Sequence, residues 1–363
     1  MSLEQETKDI SIPELNVDKH VRYFKRCADL LPHHFLEMEA SRMTLLQFCI
    51  GGLDILSQLE TALSKDERNE IIEWIYEQQV VPGNIDNTNN QESNKGYCGF
   101  RGGPLISTIT PLLKHADADQ AKCGLNTTAN TANCANLAAT YSALATLAML
   151  GDDFSRVNRK GIVETLRTLQ KPNGSFIPHP GAVECDMRFL YSACIVSYFL
   201  NDWSGVDIDK ATDYIKQCTR YDGGVTQEPY QESHGGSYFC AIASLKLMGK
   251  LDSLANKRQV LEWGLRRQIG GFQGRVNKPE DILGGHEYIH HGKAAKFVLD
   301  CQHPTGGIGK MVSNHPDPLH SYLGLVGLSY SLKHPQLRQV IPHLNLTSQT
   351  SERIHSTSVF LKP

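Results

Sequence analysis

The sequence predicts an all-α chain folded as an α/α toroid, a ring of helical hairpins. Three features point there: a recurring buried-helix motif, a charged amphipathic stretch between copies, and a glycine turn closing each pair. The motif opens on an aromatic residue, runs through small residues and leucines, and often ends in Gly. It stands at Tyr141 in TYSALATLAMLGDD, at Tyr191 in FLYSACIVSYFLND, at Tyr238 in GSYFCAIASLKLMGKLD and at Tyr322 in HSYLGLVGLSYSL. Apolar residues at i, i+3, i+4 and i+7 make each a helix. Apolar or small residues on nearly every face make it a buried one. SRMTLLQFCIGGLD, residues 41–54, is a degenerate earlier copy.

The intervening stretches, such as SKDERNEIIEWIYEQQ (64–79) and NKRQVLEWGLRRQ (256–268), read as outer helices. Glycine turns follow at CGFRGG (98), NGSF (173), DGGV (222), GGFQG (270) and GGIGK (306). Five or six pairs fit one domain over residues 21–345, between a polar tail (1–20) and a C-terminal tail (346–363). An open solenoid would need polar capping helices, and none is evident.

The spacing carries an anomaly. Tyr141 to Tyr191 is 50 residues, Tyr191 to Tyr238 is 47, and Tyr238 to Tyr322 is 84. That last interval should hold another inner helix beginning near Gly285, yet it is 10 to 13 residues short of two normal repeats. The shortfall is about three helical turns.

Composition excludes several classes. The chain has 363 residues, 40% hydrophobic and 21% charged, with a net charge of −3, so nothing draws it as a whole to nucleic acid or anionic membrane. The polar N-terminus has no secretory h-region, and no run approaches the ~20 apolar residues of a membrane span. The ten cysteines are scattered singly, as reduced buried thiols are in a cytoplasmic protein.

Basic residues are the first site candidates. His234 in ESHGGS, Arg275 and Lys278 in GRVNK, Lys310 in GGIGK and Arg188 in DMRF all lie at glycine turns or inner-helix starts. In a ring of hairpins those positions share one mouth, where charge-assisted hydrogen bonds can hold an anion. Taken singly, each reads as a solvated turn residue. Asp281 and His320 are candidate zinc ligands, with Cys301, His286, His290 and His291 nearby in sequence, but a stable site takes at least three protein ligands. HPDPLH reads equally as a turn and helix cap. Asp117 and Asp119 in HADADQ lack a DDxxD or DxDD pattern and read as loop.

The inner helices supply Phe48, Tyr141, Phe189, Tyr191, Tyr238, Phe239 and Tyr322, which read as plain core or as the wall of an apolar tunnel. A tunnel with a basic mouth suits a prenyl diphosphate. Glycoside hydrolase or terpene cyclase chemistry would need paired or clustered acids that the inner helices lack.

Long ordered stretches resemble one family. From KHVRYFKRCADLLP through EIIEWIY, LGDDFSRVN, DMRFLY, ESHGGS, ASLKLMGKL, GRVNKPED and HPDPLHSYLGLVGLS to LNLTSQTSER, nearly the whole chain resembles protein prenyltransferase β subunits, in the type I geranylgeranyltransferase branch. The resemblance implies a terpenoid cyclase/prenyltransferase-like toroid, working as a heterodimer with a helical α subunit shared with farnesyltransferase. The implied reaction moves a C20 group from geranylgeranyl diphosphate to the cysteine of a C-terminal CaaX sequence, X usually Leu, on proteins such as Rho-type small GTPases. In that family one zinc ion lowers the thiol pKa, and a basic cluster stabilises the leaving diphosphate.

Position by position, His234, Gly235, Gly236, Arg275, Val276, Asn277 and Lys278 resemble the diphosphate-binding residues, with Arg188 lining the same cavity. Lys310 is similar to the lysine this branch carries where farnesyltransferase has a magnesium-binding aspartate, so magnesium is not expected to be required. Thr44 resembles the small residue that makes room for the fourth isoprene unit. Phe48, Ala138, Phe189 and Leu319 resemble the CaaX pocket, while Asn136 stands where the mammalian pattern has histidine.

Asp281 and His320 match two of the family's three zinc ligands, and with Lys310 they are the implied catalytic residues. The third ligand, the cysteine of a D-T-C-Y-S-F-W pattern, is absent. NKPED runs straight into ILGGHEYIHH, which resembles family sequence about 12 residues further on, again roughly three helical turns. The resemblance therefore implies a β subunit impaired by an incomplete zinc site. The alternative is a non-catalytic subunit that binds the α subunit and prenyl diphosphate.

Overall fold

The computed structural model of the chain describes residues 11–30, 38, 40–81, 97–103, 135–276, 280–281 (backbone alone), 289–332 and 336–356. Among them, α1 (Val17–Asp29), α2 (Arg42–Ile55), α3 (Lys65–Glu77), α4 (Leu137–Leu150), α5 (Arg159–Leu169) and α6 (Met187–Leu200) come first. They are followed by α7 (Ile208–Cys218), α8 (Gly235–Leu247), α9 (Lys257–Leu265), α10 (His291–Asp300), α11 (Pro318–Ser331) and α12 (Ser348–His355). Three two-stranded antiparallel ribbons pair β1 (Gln79–Val80) with β2 (Gly99–Phe100), β3 (Phe272–Gln273) with β4 (Glu280–Asp281), and β5 (Val340–Ile341) with β6 (Leu346–Thr347).

The five motif copies are the inner helices α2, α4, α6, α8 and α11. Most of their residues are buried, because neighbours cover their flanks and outer helices their backs. They pack side by side in the order α11, α2, α4, α6, α8, while α1 lies on α2 and α10 on α11. The outer helices are amphipathic, and several start on side-chain caps: Asn16 for α1, Ser64 in a capping box with Glu67 for α3, Asn158 for α5, Asp207 for α7.

Outer helices join through a repeated glutamine clasp. Gln79 accepts the backbone N–H of Asn158 at 2.7 Å, Gln170 that of Asp207 at 2.7 Å, Gln268 that of His290 at 2.8 Å, and Gln302 that of Asn16 at 3.2 Å. Each acceptor thus meets the residue that caps the next outer helix. The last clasp links α10 to α1 and closes the ring.

Glycine turns reinforce the joints. Gly223 has φ +89°, and a Cβ there would lie 2.2 Å from the carbonyl oxygen of Gln259, the third residue of α9. Gly306 repeats this against Lys19, the third residue of α1, at 2.1 Å. Only glycine permits both the left-handed backbone and the close approach.

Among the described residues no inner helix stands between α8 and α11. Nine residues, 282–290, separate β4 from α10, whereas the inner helices run to 13 or 14. An inner helix of that length near Gly285 would need more than those nine residues, and the next helix among the described residues, α10, is of the outer amphipathic kind. Residues 282–288 themselves lie outside the described residues. No packing comparable to that of the other neighbours joins α8 to α10 or α11 among the described residues. Phe272, Ile289 and Ala294 instead form a small satellite core with Leu265, apart from the main one.

Residues 346–356, grouped with the C-terminal tail on sequence, form β6 and α12, and α12 packs on α4. Buried Asp54 of α2 accepts from Thr347 Oγ1 at 2.7 Å, Thr350 Oγ1 at 2.9 Å and the Arg338 guanidinium. That network fastens the segment to the inner wall.

Candidate functional site at the inner-helix rim

Every inner helix presents four unpaired N–H groups at its start. Here several of them are taken by the loop leading to the next inner helix. Met43 N donates to Gly102 O at 2.8 Å, Leu137 N to Pro178 O at 2.8 Å, Met187 N to Gln227 O at 3.1 Å and Gly235 N to Gly274 O at 2.8 Å. This stitching puts the starts of α2, α4, α6 and α8 along one rim, with their positive dipole ends together. Helix starts of this kind favour anions.

The expected residues sit on these first turns. His234 caps α8, its Nδ1 accepting the N–H of Gly236 at 2.9 Å, which leaves Nε2 as the ring's other polar atom. Arg275 follows Gly274, so it lies beside that cap. Its guanidinium is about half exposed and pairs with Glu232 at a loose 3.5 Å. Val276 is exposed. Arg188 opens α6, and its charge is balanced by Asp186 at 2.6 Å and Glu184 at 2.7 Å. Burial alone raises the Asp186 pKa, but hydrogen bonds from Arg188 and Gln227 outweigh it and hold the carboxyl below the usual carboxylate range. Arg188 therefore carries less uncompensated charge than Arg275.

Asp317 caps α11, as HPDPLH allowed: Oδ1 accepts His320 N at 2.9 Å and Oδ2 lies 2.6 Å from His320 Nδ1. Lys310 is exposed, just beyond the turn held between α1 and α11. Asn136 caps α4 by accepting from Ala138 N at 2.9 Å.

The partly accessible residues of the inner helices mark the face turned to the middle of the ring. Thr44 and Phe48 are one turn apart on α2, Ala138 and Tyr141 on α4, Phe189 lies on α6, and Phe239 on α8, while Tyr238 stacks instead on Trp263 of α9. Phe48 stacks on Tyr322 at 5.5 Å, Tyr141 meets Tyr191 edge-on at 5.9 Å, and Tyr191 meets Phe239 at 5.4 Å. Leu319 is 38% exposed at the rim. The Thr44 hydroxyl lies 3.1 Å from Ser142 Oγ, which donates to Gln47. Asn277, Lys278, His286, Asp117, Asp119 and the Asp281 side chain lie outside the described residues; the Asp281 backbone pairs with Phe272 in the β3–β4 ribbon.

Among the described residues no three His, Cys, Asp or Glu side chains gather as a ligand set. Cys301 is 3% exposed in the core, and His290 caps α10, its Nδ1 accepting Lys293 N at 3.3 Å. Burial pushes the thiols of Cys194 and Cys240 up to about 12, which disfavours the thiolate at both.

Sequence reasoning passed over the acids. Glu184 and Asp186 flank Arg188, and Glu232 faces Arg275; ECDMR showed the first pair, but only the α6 cap geometry gives it meaning. No helix among the described residues is long and apolar enough to cross a membrane.

The model of the prenyltransferase alpha-alpha toroid domain matches residues 15–346. The geranylgeranyl transferase type-1 subunit beta of Dictyostelium discoideum is 36% identical over 355 residues, covering 93% of this chain and 96% of that protein. The protein of the same name from Arabidopsis thaliana is 35% identical over 353 residues, covering 91% and 88%. The structure of Candida albicans protein geranylgeranyltransferase-I complexed with GGPP matches in fold with a TM-score of 0.76 at 23% identity, over 95% of this chain and 99% of that one.

Proposed function

Because the chain belongs to the prenyltransferase α/α toroid family, as a relative of geranylgeranyl transferase type-1 β subunits, we propose that it is the β subunit of a type I protein geranylgeranyltransferase. It pairs with a helical α subunit and holds geranylgeranyl diphosphate with the C20 chain along the inward aromatic face. The diphosphate lies at the rim, on His234, Gly235, Gly236, Arg275, Val276, Asn277 and Lys278. Thr44 keeps that wall narrow in side-chain volume, which leaves length for the fourth isoprene unit.

In the reaction, the sulfur of a CaaX cysteine bonds to C1 of the prenyl chain as the C1–O bond breaks. The electron pair leaves with the diphosphate and the thiol proton is lost to solvent. Lys310 and Arg275 balance the charge that grows on the leaving group. The acceptor's C-terminal residue packs among Phe48, Ala138, Phe189 and Leu319.

The observation that carries this reading is the stitched rim, where inner-helix starts and basic side chains adjoin an apolar wall. This chain is impaired in transfer, because Asp281 and His320 lack a third ligand and a metal held by two is weak. A second reading, a subunit that binds the α subunit and prenyl diphosphate without transferring it, is favoured by the nine-residue interval before α10 beside an unbroken outer wall.

The test uses the chain co-purified with the α subunit. Zinc content, geranylgeranyl diphosphate affinity and transfer to a Leu-terminated CaaX peptide are measured. Retained diphosphate affinity with little zinc and little transfer is expected, and Arg275→Ala should weaken diphosphate binding more than Arg188→Ala. Near-stoichiometric zinc with full turnover refutes the impairment, and no affinity for the diphosphate refutes the rim.

A further inference from the structure

In four of the outer helices the fourth residue is an apolar core position. It is Ile162 in α5, Ala211 in α7, Val260 in α9 and Ala294 in α10, each at most 8% exposed. In α1 the same position holds His20, which is 1% exposed. A buried imidazole costs free energy unless both nitrogens are satisfied, and here both are. Its Nε2 lies 2.9 Å from Gln302 Oε1, and its Nδ1 accepts the N–H of Gly307 at 3.1 Å. Gln302 Nε2 donates to Glu14 O and Leu299 O, both at 3.1 Å, so Oε1 is fixed as the acceptor toward His20. One neutral tautomer, protonated on Nε2, satisfies every contact. Burial lowers the pKa of His20 and so favours that neutral form.

The glycine turns show what this histidine replaces. In the turn after α5, Asn173 Oδ1 accepts the N–H of Ser175 at 3.1 Å; in the turn after α7, Asp222 Oδ1 accepts that of Gly224 at 3.0 Å. Each of these turns supplies its own acceptor two residues upstream. In the turn after α10 the corresponding residue is Thr305, and the N–H of Gly307 goes to His20 instead. On the other side of the same turn, Ile308 N donates to Ser321 Oγ of α11 at 2.8 Å, one residue from His320. Gly309 N then donates to Cys301 O at 3.0 Å, and Lys310 follows.

We propose that His20 is a positioning residue: as the borrowed acceptor of the Gly307 N–H, it seats the turn that presents Lys310 at the rim. The ring-closing joint between α1 and α10 thereby sets where that cation stands, whereas the turns after α5 and α7 are held by their own Asn173 and Asp222. This rests on the reading that Lys310 faces the diphosphate.

The experiment compares the full chain, co-purified with the α subunit, with His20→Val, His20→Val/Thr305→Asn and Lys310→Met. Dissociation constants are measured for geranylgeranyl diphosphate and for geranylgeraniol, which lacks the charged head. Hydrogen exchange is followed over residues 305–310. His20→Val, which installs the residue α9 carries, should weaken diphosphate binding about tenfold, the worth of one well-placed hydrogen bond. Alcohol binding should stay unchanged and exchange in the turn should quicken. Thr305→Asn, which gives the turn its own acceptor, should restore both affinity and protection.

If Lys310→Met weakens diphosphate binding while His20→Val does not, the positioning role is wrong. Equal loss of alcohol and diphosphate binding, or no rescue by Thr305→Asn, also overturns it, because His20 would then serve packing alone. If Lys310→Met itself changes nothing, the fault lies in the reading of Lys310, and the inference falls with it.

Discussion

Asp317 holds His320 twice, through the backbone N–H at 2.9 Å and through ring Nδ1 at 2.6 Å. One carboxylate thus starts α11 and turns the imidazole so that Nε2 is its other polar face. Carboxylate–histidine pairs of this kind fix the ring's tautomer and orientation wherever histidine acts as a ligand or hydrogen-bonding group.

The two roles separate by substitution. Asp317→Ala removes the cap and should destabilise the protein by about 1 kcal/mol. Asp317→Asn caps almost as well, so its denaturation midpoint should stay near that of the parent. It loses the charged acceptor at Nδ1, and nitrogen NMR of His320 should then show mixed tautomers in place of one. A single tautomer in both proteins would mean that Asp317 serves the helix alone.

Asp186 gives the site a pH signature. Its folded-state pKa is depressed, so the unfolded chain binds the proton more readily in the acid range. The stability it contributes is fully present above the unfolded carboxylate range, near pH 4, and is lost as pH falls through the lower folded value. Asp186→Asn should cost roughly 1–3 kcal/mol at neutral pH, discounted because Arg188 is about half exposed. The gap between parent and variant in urea midpoint should hold from pH 7 to about pH 5 and then close on further acidification. A gap that widens in acid would reverse the assigned sign.

Gly223 and Gly151 both have left-handed backbones, with φ +89° and +83°, but differ in surroundings. A Cβ at Gly151 meets nothing within 4 Å, whereas at Gly223 it lies 2.2 Å from Gln259 O. Gly151→Ala should cost about 1 kcal/mol of backbone strain. Gly223→Ala should cost at least about 2 kcal/mol more, since the α9 start must move. Thermal unfolding of the two variants makes the comparison, and equal shifts would mean the joint yields freely.

The inner helices were legible because burial on all sides leaves a composition, small residues and leucines behind an aromatic, that no exposed helix needs. The shortened repeat was legible for the same reason, as an interval too short by about three turns. The joints were not. Gln79, Gln170, Gln268 and Gln302 look like ordinary polar residues closing amphipathic helices, and their meaning depends on which cap each one meets across the ring. Arg188 was legible as a rim cation but not as a compensated one, because its partner Asp186 is a helix cap whose second oxygen is placed by tertiary packing. The strand and helix at 346–356 escaped because Thr347 and Thr350 read as tail residues until Asp54, almost 300 positions earlier, is set against them.

The shortened repeat makes the sharpest prediction, because the outer wall passes it intact. Gln268 clasps both the N–H and the C=O of His290, as Gln170 clasps Asp207, so the joint from α9 to α10 already has its normal form. An insertion of about 12 residues after Asp281, beginning Thr-Cys and carrying an apolar inner-helix pattern, has somewhere to go: roughly three turns of helix between α8 and α11. Two gains should follow together. The third ligand should raise zinc from substoichiometric to near-stoichiometric in the purified heterodimer. The satellite core of Phe272, Ile289 and Ala294 should merge with the main one, raising the melting temperature by several degrees. An insert with Ser in place of Cys should give the second gain without the first. If the Cys insert binds zinc but does not stabilise the chain, the outer wall is not waiting for an inner helix; if it stabilises without binding zinc, Asp281 and His320 do not face one cation.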